Sequence, residues 1–111
     1  MFQKNKKTRL CDILKRENDL TYESMMVSAR AWWSIIEDKI RSDLISAAQR
    51  YEKMREFRYE TFEKHINIGK LNDAHEQVME DWAKNEGLEI TFDAEYITFS
   101  WDGKKYDKFT V

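Results

Sequence analysis

Between Tyr22 and Met54 the apolar residues recur at steps of three or four: Tyr22, Met25, Ala29, Trp32, Ile36, Ile40, Leu44, Ala47, Tyr51 and Met54. This is one face of a 3.6-residue period held for about nine turns. Met26, Trp33 and Ala48 widen the stripe on one side, and neither Gly nor Pro interrupts it. A helix of that length runs about 45–50 Å at 1.5 Å per residue, longer than a compact domain of this size is wide. The spacing therefore predicts that the helix bends, or breaks near Arg41-Ser42-Asp43, or packs its far part on another chain. Asp43 interrupts the apolar stripe, which marks the middle as the expected break.

The rest of the chain must cover this helix. Thr8 can cap a short helix from Arg9 to about Asn18, with Leu10, Ile13 and Leu14 at helical spacing. Asp19-Leu20-Thr21 interrupts it, and Thr21 reads as the N-cap of the long helix, with Glu23 in its first turn. After Met54 the period changes. Phe57, Tyr59 and Thr61 alternate with Arg58 and Glu60, a short strand signal. The stretch from Phe62 to Ile68 fits helix or strand, and Gly69 closes it. Asn72 or Asp73 caps a helix to about Asn85, with Asp73 and Glu76 at capping-box spacing and Ala74, Val78 and Trp82 inward. Gly87 sits where a left-handed residue ends a helix, with Leu88 placed to fold back.

The C-terminus reads as a β meander. Leu88, Ile90 and Phe92 alternate with polar residues, an Asp93-Ala94-Glu95 link follows, and Ile97, Phe99 and Trp101 alternate with Tyr96, Thr98 and Ser100. Asp102-Gly103 suits a type I′ turn, and Lys104 to Thr110 a returning strand with Phe109 and Val111 on one face. These elements predict a single α+β domain over residues 8–111, a long amphipathic helix on a small antiparallel sheet with two shorter helices. Residues 1–7 form a basic flexible arm.

Chemistry-bearing motifs are sparse. His75-Glu76 opens like a metalloprotease helix, but Met79 stands where the second histidine belongs. No metal or cofactor is expected, and the two histidines read as surface residues. Cys11, the single cysteine, lies among Leu10, Ile13 and Leu14 and reads as a small buried hydrophobe; alone it excludes an internal disulfide. Gly69-Lys70 lacks the glycine and the Ser or Thr of a phosphate loop. With no acid–base pair singled out, the expectation is a protein that is not an enzyme. No apolar run suggests a signal peptide or membrane span, which points to the cytoplasm.

Charge and aromatic content point to partners. The net charge is only −2, but it is unevenly placed. Residues 1–16 set Lys4, Lys6, Lys7, Arg9, Lys15 and Arg16 against Asp12, a net +5. Residues 72–95 carry Asp73, Glu76, Glu80, Asp81, Glu86, Glu89, Asp93 and Glu95 against Lys84, a net −7. The basic end suits phosphates, and Arg55, Arg58 and Lys64 interleaved with Tyr59 could stack on bases. These residues, with Lys4, Lys6, Lys7 and Arg9, define a nucleic-acid alternative.

Aromatic residues make up 14%, with four tryptophans, so either the core is densely aromatic or some rings meet another molecule. Trp32 lies on the stripe, Trp33 widens it, and Val27, Ile35 and Ile45 fall outside it. A helix apolar on more than one face is buried on more than one side. This makes Val27, Trp33 and Ile45 the candidate protein-interface residues and a homo-oligomer or partner groove the leading reading.

The stretch from Ile36 to Trp101 resembles small accessory proteins of tailed bacteriophages. The shared outline is a long helix ending in Ala47-Ala48, an aromatic strand-like stretch, and a capped helix ending Gly87-Leu88-x-Ile90. A hairpin finishing Ile97-x-x-Ser100-Trp101 follows. The resemblance implies an interaction role, the binding and modulation or inhibition of a host or defence protein in the host cytoplasm. It assigns no functional residue.

Overall fold

A computed structural model describes residues 8–66 and 70–101. The expected Asp102-Gly103 turn and the strand from Lys104 to Thr110 lie outside them, as does the basic arm at residues 1–7. Helix α1 runs unbroken over Leu10–Gln49, 40 residues. Strand β1 (Met54–Arg58) and the one-turn helix α2 (Tyr59–Glu63) follow. Then come helix α3 (Asp73–Asn85) and the hairpin β2 (Glu89–Phe92) and β3 (Tyr96–Ser100). The α+β architecture is as expected.

Two expected interruptions of α1 do not occur. Asp19 and Thr21 are modest helix formers, each costing only a few tenths of a kcal/mol against alanine, and no Gly or Pro forces a stop. The helix begins instead at an Arg9 cap, with Asp12 in its first turn. At the middle, Asp43 leaves the stripe by pairing with Lys39 one turn back, 3.2 Å away. Arg41 bridges Glu37 at 3.0 Å and Glu86 of α3 at 3.2 Å. The polar residues at the expected break are thus satisfied without one.

The real stop is at residues 50–52. Tyr51 takes φ +67°, its N–H donating to the Ala48 carbonyl while that of Glu52 donates to Ala47. This is a Schellman-type end built on a tyrosine where glycine is usual. Tyr51 is consequently 80% exposed rather than part of the core stripe, and Met54 is already in β1.

The sheet order is β1-β3-β2, all antiparallel. Among the described residues its third strand is β1. Phe57 pairs with Ile97 and Ile90 with Phe99, so the central strand buries Ile97 and Phe99 completely. The alternation at Phe57, Tyr59 and Thr61 ends at Arg58, and Tyr59 and Thr61 belong to α2, which turns Phe62 into the core.

Helix α3 is capped by Asn72, whose side-chain oxygen accepts from the amides of Ala74 and His75. The reciprocal partner is His75, whose Nδ1 accepts from the Asn72 N–H at 2.9 Å, not Glu76. Gly87 has φ +76°, and Leu88 N–H reaches back to the Ala83 carbonyl at 2.8 Å, as its sequence predicts.

The core lies between one face of α1, α3 and the sheet. Met26, Ala29, Trp32, Trp33, Ile36, Ile40, Leu44 and Ala47 are its contribution from α1, whereas Ala48 is exposed. The aromatics concentrate here. Trp32 meets the His75 ring edge-on at 4.7 Å between centroids, and Trp33 lies 5.1 Å from Trp82. Phe99 joins Phe57 to Trp82 through two edge-on contacts. Trp32 Nε1–H donates to the Phe62 carbonyl at 3.0 Å, locking α2 to α1. The high aromatic content is therefore mainly a dense core.

Candidate protein-interaction surface

Helix α1 outruns the body it anchors. At 1.5 Å per residue its 40 residues span about 60 Å, and the molecule measures 71 × 34 × 24 Å. Its radius of gyration is 19.4 Å, against about 13 Å for a compact chain near this length. Every residue from Thr8 to Ser24 is exposed. A helical segment of that length with no tertiary support is only marginally stable in water, so its presence depends on the anchored half of α1 or on something outside this copy.

The projecting part is not polar. Leu10 is 67% exposed, Leu14 52%, Leu20 54%, Val27 65% and Ile35 66%, with Ile13 also exposed. At 100° per residue Ile13, Leu20 and Val27 sit on the side of α1 opposite Ile36, Ile40 and Ala47, Leu10 and Ile35 on its flank, and Leu14 nearer the side of Ile36. Along the opposite side Leu10, Ile13, Glu17, Leu20, Ser24, Val27 and Ala31 alternate three- and four-residue steps, a heptad seam. Five of the seven are apolar, Glu17 and Ser24 being the exceptions, and clustered exposed apolar residues mark an interaction site.

The seam runs into a groove of about 770 Å³. Its floor is Ser24, Ser28, Ala31 and Ile35 of α1, and its far wall is His65, Ile66 and Lys70 with the cap of α3. Small side chains on the floor leave room for larger ones from outside. The groove chemistry is mixed: Leu20, Met25, Ala31, Trp32, Ile35 and Ile66 are its apolar part, with His65, Lys70 and His75 along the other side. His75, at its inner edge, is buried rather than on the surface, and burial lowers its pKa from the ordinary histidine value. Its Nδ1 must be unprotonated to accept from Asn72.

Placed against this surface, the three sequence candidates part company. Val27 lies on the exposed seam. Trp33 does not: it is 5% exposed and packs on Trp32 and Trp82, because a residue beside the stripe still faces α3. Ile45 is exposed, but it borders a separate hollow of about 230 Å³ with Leu44, Trp82, Leu88 and Trp101. It is eighteen residues from Val27, about 27 Å along the helix. Leu10, Ile13 and Leu20 were missed as surface residues, and the heptad count, taken from Leu10 rather than from Tyr22, is the signal that finds them; Ile35, placed outside the stripe by its spacing, is exposed.

Cys11 is exposed rather than buried, since the short helix expected to enclose it is the projecting tip of α1. The nucleic-acid candidates are dispersed. Arg9 caps α1, about 35 Å up the helix from Trp32. Arg55 lies over Phe57 and Arg58 over Tyr96. The Tyr59 hydroxyl donates to the Asp93 carbonyl at 2.8 Å, with its ring partly buried, and Lys64 is exposed beyond α2. Lys4, Lys6 and Lys7 lie outside the described residues.

Among the described residues no cluster of His, Cys, Asp or Glu could hold a metal ion. No helix among them is long and apolar enough to cross a membrane. No protein-family model, curated protein or solved structure matches the chain.

Proposed function

We propose that the chain is a non-enzymatic protein-binding module that self-associates, with the projecting face of α1 as its docking element. The observation that carries this reading is the run of exposed Leu10, Ile13, Leu20 and Val27 along one side of α1, most of it on a segment with little packing of its own, with Ile35 exposed beside the groove. Burying such side chains is worth about 1.5–3 kcal/mol each when complete, and a partner helix is the geometry that a heptad seam accepts.

The separation of charge between residues 1–16 and 72–95 supports the same reading, since it orients an encounter before contact. The resemblance to small phage accessory proteins fits a module that occludes a surface of a host or defence protein. Multi-angle light scattering from low to high micromolar concentration tests self-association. The expected result is a mass that rises from one copy to two, and a mass that stays at one copy throughout contradicts it.

A further inference from the structure

We infer that the occupant of the α1 seam is a second copy of this chain, docked antiparallel about a two-fold axis between Tyr22 and Glu23; the inference rests on the self-association proposed above. The two halves of the seam are complementary in shape. Its N-terminal half presents large exposed residues, Leu10, Ile13 and Leu20. Its other half presents the groove, floored by Ser24, Ser28 and Ala31 and walled by His65 and Ile66. An isologous contact needs one surface to fit itself when turned about a two-fold axis. With the axis at residues 22–23, Leu10 of one copy meets Ile35 of the other. Ile13 comes within one residue of Ala31, Glu17 is level with Ser28, and Leu20 comes within one residue of Ser24.

Charge selects the same direction. In a parallel pair the two basic ends, each with Arg9, Lys15 and Arg16 against Asp12, would lie side by side. In the antiparallel pair each such end lies along the other copy's body, whose residues 72–95 are net −7. Arg9 is available for this, since its pairing with Asp12 is long, 3.5 Å, and solvent-exposed.

The single cysteine makes the geometry measurable. Cys11 is exposed and sits off the seam, about eleven residues from the axis. Two thiols in the antiparallel dimer are therefore about 35 Å apart along the helices, and nitroxides attached to them about 35–45 Å. The full-length protein labelled at Cys11 is measured by double electron–electron resonance at a concentration where light scattering shows two copies. A distance near 35–45 Å is expected, and Leu20→Lys, which sets two charges at the axis, should weaken association at least about tenfold with the far-UV circular dichroism unchanged. A distance under about 20 Å overturns the antiparallel docking while leaving self-association standing. Wild-type protein that stays single-copy overturns both.

Discussion

Ile35 and Ile36 are neighbours in sequence and opposites in the fold, and the same substitution at each separates the two apolar faces of α1. Ile36 is 3% exposed in the core and Ile35 is 66% exposed on the seam. Ile36→Ala removes buried carbons and leaves a cavity, at a cost of about 2–4 kcal/mol out of a total stability of order 5–15 kcal/mol. Ile35→Ala gives up only the third of the side chain already covered, about 0.5–1 kcal/mol. Alanine's better helix propensity returns about 0.4 kcal/mol, so the net change in one copy is within about 0.5 kcal/mol. Association reverses the order. Ile35 is used twice in a two-fold dimer, and losing its contact there costs about 2 kcal/mol, roughly thirtyfold in the dissociation constant. Urea unfolding followed by circular dichroism at low micromolar protein measures the first pair of effects, and sedimentation equilibrium the second. Equal stability losses at the two positions, or unchanged association in Ile35→Ala, would refute the assignment of faces.

Other consequences follow from the core and the helix ends. Trp32→Phe removes the donor to the Phe62 carbonyl and part of a buried ring, so urea unfolding should show a loss of about 2–3 kcal/mol. Tyr51→Gly relieves a left-handed tyrosine at φ +67° and should raise the urea midpoint by the equivalent of about 0.5–1 kcal/mol. His75 has a pKa lowered by burial, so below the ordinary histidine value of about 6.5 the unfolded chain binds the proton more readily. Its contribution to stability is therefore full above that pH and is lost as the pH falls towards the depressed folded value. Melting temperatures at about pH 7.5 and about pH 5 should differ less in His75→Gln than in the wild type.

The core was legible because it follows local rules. The 3.6-residue stripe named Ala29, Trp32, Ile36, Ile40 and Leu44, the alternation at Ile97 and Phe99 named the central strand, and Gly87 with Leu88 named the end of α3. What escaped has physical reasons. Thr21 and Asp43 are suited to caps and breaks, but neither forbids helix, and neighbouring pairs such as Lys39–Asp43 absorb the cost. Tyr51 adopts a conformation that sequence assigns to glycine, which hid the true end of α1. The strand signalled by Phe57, Tyr59 and Thr61 lies earlier, at residues 54–58, because its bounds are set by pairing with β3 far along the chain, which no local pattern reports. At the surface, Val27 was found because it falls off the stripe. Trp33 was misplaced because one helix cannot reveal that α3 covers its flank. The heptad from Leu10 went unread because an expected break at residues 19–21 divided it.

Concentration-dependent hydrogen exchange over residues 10–24 tests the central claim most directly. These amides belong to a helix with no support from its own copy beyond the groove's edge, so at low concentration they should open at almost no free-energy cost. The account predicts that their protection rises with protein concentration as the seam is covered, while the amides of residues 29–47 in the anchored half of α1 are protected throughout. Exchange in residues 10–24 that is the same from low to high micromolar protein would contradict it.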